Sequence, residues 1–200
     1  MLNLFKRKAR PIDFNLKILI IADTHNCLME EAFVGYNADV CLLLGDLSDE
    51  DLYLIKHNIT NMPIYGILGN HYGQKLYEKY NIENIHGKVI EINGVKIAGF
   101  SGSYKYKETD AALYTDKESL EIAANIPEAD ILISHDSPKY LYGKDNPTHC
   151  GLKGITRYLE KNQIPLNIHG HYHRRQKTKL KNGTVVLACH NVEMVDTSKL

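Results

Sequence analysis

The amino-acid sequence predicts an α/β fold in which two mixed sheets pack together with helices on the outside. Three features carry this. Short, β-rich apolar runs alternate with segments of helical character early in the chain. Two later Asn-Gly pairs mark antiparallel hairpins. A length of 200 residues is enough for one substantial core, so a single domain is the default. The composition, 44% hydrophobic and 24% charged, excludes collagen-like, low-complexity and largely disordered chains. No apolar run approaches the roughly eighteen residues of a membrane span.

In chain order, Lys6, Arg7, Lys8 and Arg10 give a basic start. The apolar stretch behind them is too short for a secretion signal. Residues 1–15 are expected to form a solvated basic tail, and 16–200 the domain. Residues 16–22, 40–44, 64–68, 131–134 and 166–168 read as buried strands. Helices are expected over 28–36, 49–58 and 74–80, which makes the opening β-α-β-α-β with a parallel sheet. Residues 88–92 and 95–100 flank Asn93-Gly94, and 176–181 and 184–188 flank Asn182-Gly183, each reading as a hairpin. Helices over 116–125 and 151–162 lie between them.

Lys plus Arg number 24, as do Asp plus Glu, so no global field draws polyanions, and strong binding of duplex nucleic acid is not expected. The local basic cluster is Arg174, Arg175, Lys177, Lys179 and Lys181. Strand alternation sends the last four to one face, where they read as a solvated edge that resists aggregation. The four cysteines, Cys27, Cys41, Cys150 and Cys189, form neither a CxxC pair nor a disulfide framework, which fits a reducing cytoplasm.

The residues at the carboxyl end of each buried run are the informative feature. The first run leads to Asp23-Thr24-His25, the second to Gly45-Asp46, the third to Gly69-Asn70-His71, the fourth to His135 and the fifth to Gly170-His171-Tyr172-His173. Loops at the carboxyl ends of parallel strands border one crevice. Asp23 with His25, and His171 with His173, project to one side of extended backbone. Carboxylate, amide and imidazole without thiolate select Mn²⁺, Fe or Zn²⁺. Seven groups are too many for one tetrahedral ion and suit a pair of ions sharing a carboxylate.

These ordered blocks, DxH, GDxx, GNH, a later H and GHxH, resemble the calcineurin-like metallophosphoesterases, and the resemblance spans about residues 16–190. It implies a four-layer αββα sandwich. It also implies that Asp23, His25, Asp46 and His173 hold one divalent ion, and Asp46, Asn70, His135 and His171 the other. Mn²⁺ is the expected metal, with Fe, Zn²⁺ or Ni²⁺ as alternatives. His71 corresponds to the histidine beside the site that ligates no metal. Asp49 stands where related phosphoprotein phosphatases orient that histidine with an aspartate. The chain departs from the pattern at Tyr72, where an acidic residue often follows, and at Glu50, where those phosphatases carry a phosphate-binding arginine. A Ser/Thr protein phosphatase is disfavoured.

The expected reaction is hydrolysis of a phosphodiester, or second a phosphomonoester, by a hydroxide held between two ions, with His71 protonating the leaving group. The expected partner is a small phosphoester, such as a nucleotide, and the resemblance suggests a homodimer. Substrate contacts are expected at Arg174, His149 and Tyr104, with Arg175, Tyr106 and His190 as further candidates. His57 and His86 read as surface residues, and His169 as a non-ligand. Two alternatives stand beside this reading: a single-strand nuclease, and an inactive protein-interaction scaffold such as the retromer subunit of this superfamily.

Overall fold

The computed structural model describes residues 7–33, 35–107, 112–143 and 145–200. The first sheet is built from β1 (Lys17–Ala22), β2 (Val40–Leu43), β3 (Ile64–Gly66) and β4 (Glu83–Asn84). These four run parallel. α1 (Asp49–Asn58) and α2 (Gln74–Lys79) make crossovers. The hairpin of β5 (Val89–Ile92) and β6 (Val95–Phe100) opens the second sheet, and β7 (Ser103–Tyr104) and β8 (Leu113–Tyr114) form a small separate ladder. α3 (Asp116–Asn125), β9 (Ile131–Ser134), α4 (Lys153–Lys161), β10 (Leu166–His169), β11 (Gln176–Lys179), β12 (Val185–Ala188) and β13 (Asn191–Asp196) complete the described elements.

Strand order is β13-β1-β2-β3-β4 in one sheet and β11-β12-β10-β9-β6-β5 in the other. Each sheet is mixed. β13 lies antiparallel to β1, while β5 and β11 are antiparallel edges on a parallel centre. The layers follow from strand alternation. Ile18, Ile20 and Ala22 of β1 enter the core between the sheets with Ile131, Ile133, Leu166 and Ile168. Their neighbours Leu19 and Ile21 face outward onto Leu52 and Ile55 of α1 and Tyr77 of α2. On the far side Phe100 and Leu132 meet Ala123 of α3 and Ile155 and Leu159 of α4. Helices therefore cover both outer faces.

The structure corrects several expectations. Where a helix is expected over 28–36, the structure describes a 3₁₀ turn, Glu30–Phe33, none of whose residues is buried to anchor a longer helix. α4 starts two residues late because Gly151 sits at φ +73°. The 1–15 tail is solvated only in part. Ala9 N–H donates to Asn182 O at 2.8 Å, Arg10 lies 3.2 Å from Asp130, and Ile12 and Phe14 pack on the inter-sheet core. Residues 1–6 lie outside the described residues. His86 is drawn in by its bridge to Gly99, and its Nδ1 accepts the Ser101 N–H at 2.9 Å.

Candidate metal centre

Five strand ends deliver seven side chains to one crevice: Asp23 and His25 after β1, Asp46 after β2, Asn70 after β3, His135 after β9, and His171 and His173 after β10. The ligand atoms of Asp23, His25 and His173 lie within 4.8 Å of one another, as do those of Asp46, His135 and His171. Asn70 joins the second group, with its Oδ1 2.8 Å from His135 Nε2. The ring centroids of His135 and His171 are 4.8 Å apart, and those of His25 and His173 are 5.2 Å apart.

The backbone here is forced. Asp23, His25, Asp46, His171 and His173 all have φ between 47° and 61°, a region that residues with a Cβ avoid. Each costs on the order of 1–3 kcal/mol and persists only where surrounding contacts over-determine it. Two glycines permit the close approach. A Cβ on Gly69 would overlap the Asp46 carboxylate, and one on Gly170 would sit 2.6 Å from Asp23 Oδ2.

Each carboxylate is fixed by one oxygen and left open at the other. Asp23 Oδ2 accepts the His171 N–H at 2.7 Å, and Asp46 Oδ1 accepts the His71 N–H at 2.9 Å. Asp23 Oδ1 and Asp46 Oδ2 are buried without a hydrogen-bond partner. A buried anionic oxygen left this way is costly, and a divalent cation between carboxylate and imidazoles relieves it. The imidazoles are prepared for the same role. His171 Nε2–H donates to Thr148 O at 2.8 Å, which leaves Nδ1 with a free lone pair. Burial, then His135, pushes His171 down to about 3, so its ring is neutral.

His135 balances the negative charge. Its Nδ1 lies 2.7 Å from Leu44 O, and its Nε2 lies 3.4 Å from Asp46 Oδ2. Burial opposes its protonation, yet the Asp46 carboxylate lifts it to about 9. An imidazolium thus supplies the charge that a cation would bring. Burial works against ionisation of the aspartates too, but His173 and then His135 hold Asp23 below its ordinary range, and His135 does so for Asp46. Oxygen and imidazole donors without thiolate suit borderline divalent ions, and the residues present fit such a group.

His71 stands at the mouth, half exposed, with Nε2 3.8 Å from Asp46 Oδ2 and its ring 5.3 Å from that of His25. Asp49, expected to orient it, does not: its carboxylate accepts Lys79 Nζ at 2.6 Å and Tyr80 Oη at 3.0 Å. In the first turn of α1 it faces α2. The carboxylate that turns to the loop carrying His25 is Asp51, which belongs to none of the metal-binding motifs. It accepts Thr24 Oγ1 at 2.7 Å, Asn26 N–H and Ser48 N–H at 2.9 Å, and Leu28 N–H at 3.3 Å. Ser48 with Asp51 is a capping box, and that spacing is legible. The bond to Thr24 has no local signal.

The substrate candidates divide. Tyr104 is spent on packing: its N–H donates to Asp136 and Lys139 Nζ lies 3.6 Å over its ring. Tyr106 reaches the centre instead, with its Oη accepting from Asn70 Nδ2 at 3.3 Å. His149 borders His171 at 4.8 Å, and His190 stacks on His173 at 5.4 Å. Arg174 lies 5.5 Å over the Tyr172 ring. Arg175 is held by Glu193 at 3.2 Å and by the Val192 carbonyl. His169 bonds Gly170 O and Tyr142 Oη and takes no part in the cluster.

A family model for calcineurin-like phosphoesterases matches residues 16–175. An uncharacterized protein of Haemophilus influenzae is 26% identical, the match covering 70% of this chain and 76% of that one. Among solved structures, a dimetal phosphatase from Danio rerio superposes with TM-score 0.61 at 10% identity, over 91% of this chain and 88% of its own. Phosphopantetheinyl hydrolase from Mycobacterium tuberculosis gives TM-score 0.59 at 12% identity, over 90% and 95%. At such identities the likeness is one of fold. The family match is of another kind, because it runs from the first buried residue before β1 past the last clustered histidine, and by it this chain belongs to the calcineurin-like phosphoesterases.

Proposed function

We propose that this protein is a dinuclear phosphoesterase that hydrolyses a phosphodiester in preference to a monoester, with Mn²⁺ as the working metal. The observation that carries this reading is the pair of buried, unpartnered oxygens, Asp23 Oδ1 and Asp46 Oδ2, each set among imidazoles. In this reading Asp23, His25, Asp46 and His173 hold one ion, and Asp46, Asn70, His135 and His171 the other. When bound, the two cations polarise phosphoryl oxygens and activate water. The chain's own residues do the rest. Thr148 and Leu44 carbonyls fix the tautomer and orientation of His171 and His135. Tyr106 holds the Asn70 amide so that its oxygen faces His135. His71, anchored through its N–H to Asp46, presents a solvent-reaching ring as the proton donor to the leaving oxygen.

A small or accessible substrate such as a nucleotide fits better than long duplex DNA, because the basic residues 177 and 179 lie on the edge strand β11 rather than along a groove. The scaffold alternative is disfavoured, since every ligand position and His71 are filled. No described helix is long and apolar enough to cross a membrane. The four cysteines are free, in keeping with the cytoplasmic location we propose.

The test is a Mn²⁺-supplemented panel of a generic diester, a generic monoester, cyclic nucleotides and short oligonucleotides. The diester should turn over fastest, and His71→Ala and Asp46→Asn should each lose at least about a hundredfold. Turnover equal to wild type in both variants would reject the mechanism, and oligonucleotide cleavage with a steep salt dependence would favour the nuclease.

A further inference from the structure

We propose that Arg174 is an anion subsite beside the metal centre, and that the substrate therefore carries a second negatively charged group besides the reacting phosphate. The assignment rests on the phosphoester-binding reading of the centre and names the class of substrate it takes.

Two adjacent arginines meet different fates. Arg175 is consumed: Glu193 pairs with it at 3.2 Å, and the carbonyls of His190 and Val192 accept its remaining donors. Arg174 is exposed, and no described carboxylate pairs with it. It is nevertheless not a loose surface side chain. Its guanidinium lies 5.5 Å over the Tyr172 ring, and Tyr172 is stacked on Tyr142 at 3.7 Å with planes 6° apart. Tyr142 Oη is bonded at 2.9 Å to Nε2 of the fully buried His169 at the end of β10. A rigid stack thus runs from a strand end out to one planar cation.

The stack also borders the centre. His149 lies 6.2 Å from Tyr172 on one side and 4.8 Å from His171 on the other. A chain of ring contacts thus links the cluster to Arg174, from His171 through His149 to Tyr172. A guanidinium seated on an aromatic face keeps its edge donors free for bidentate bonds to phosphate or carboxylate. Little rotamer entropy is left to lose when such a pre-placed fork takes its anion.

Calorimetry on the metal-loaded protein tests this with thymidine 3′,5′-bisphosphate against the two thymidine monophosphates. The bisphosphate should bind at least about tenfold more tightly. Arg174→Gln should remove most of that preference, and Arg174→Lys should restore only part, since an ammonium lacks the planar fork. Lys179→Gln, which deletes the same charge from β11, should leave the preference intact. No preference in wild type, or equal loss in Arg174→Gln and Lys179→Gln, overturns the subsite. If the preference depends on Arg174 but no phosphoester is turned over, the subsite stands and the hydrolase reading falls.

Discussion

At the scale of single residues, the candidate site is held by groups outside the clustered carboxylates and imidazoles. Asp51 is the clearest case, because one carboxylate closes the N-terminus of α1 and also ties down the loop carrying His25 through Thr24, Asn26 and Leu28. The two tasks can be separated. Ser48→Ala removes the cap together with one long bond, Ser48 Oγ to Asn26 Oδ1 at 3.3 Å, and should lower stability by about 1 kcal/mol while disturbing metal affinity less than loss of the Thr24 bond does. Thr24→Val removes the 2.7 Å bond to Asp51 that helps hold the loop between Asp23 and His25 and should weaken Mn²⁺ binding by up to about tenfold. Calorimetric titration with Mn²⁺ beside chemical denaturation checks both. Equal effects of the two variants on metal affinity would reduce Asp51 to a helix cap.

At the scale of elements, the centre depends on turns that let backbone and carboxylate nearly touch. Gly69→Ala pushes a Cβ into the Asp46 carboxylate, so a single methyl should abolish tight metal binding. Gly73→Ala, where a Cβ meets nothing, should not. Titration of both proteins with Mn²⁺ decides it, and tight binding by Gly69→Ala would show that Asp46 is not confined as described. Much of this geometry is legible in the sequence. Five apolar runs, each ending in an oxygen or imidazole donor, announce strands that converge at one end, and Asn93-Gly94 announces the hairpin. β13 is not legible. Its sequence places Asn191, Glu193 and Asp196 among Val192, Met194 and Val195, and as an edge strand it buries little, so no clean alternation marks it. Asp49 escapes a sequence reading for a related reason. The resemblance to phosphoprotein phosphatases puts it near His71, but the first-turn geometry of α1 turns it to Lys79 and Tyr80.

At the scale of the whole molecule, two sheets bring together carboxylates that lie far apart in sequence, and the charge gathered there couples metal, proton and stability. In metal-free protein His135 carries the balancing charge, lifted to about 9 by Asp46. A histidine whose pKa is raised on folding stabilises the native state fully below its unfolded value near 6.5. That contribution is lost as pH climbs through the folded value. His173, raised by the Asp23 carboxylate 3.6 Å from its Nε2, has the same sign. His169 and His171, lowered to about 4 and about 3, act only in the acidic window. Chelated protein should therefore lose on the order of 2 kcal/mol between pH 6.5 and 9. With Mn²⁺ bound, the cations would replace the proton, so stability should rise by about 2.7 kcal/mol per ion at a hundredfold excess over its Kd and stay nearly level across that range. Urea midpoints with and without chelator, alongside elemental analysis expecting two ions per chain, check this. A metal-free midpoint that does not fall above pH 6.5 would mean that no imidazolium balances Asp46, and fewer than two ions per chain would dissolve the pairing of the two ligand groups.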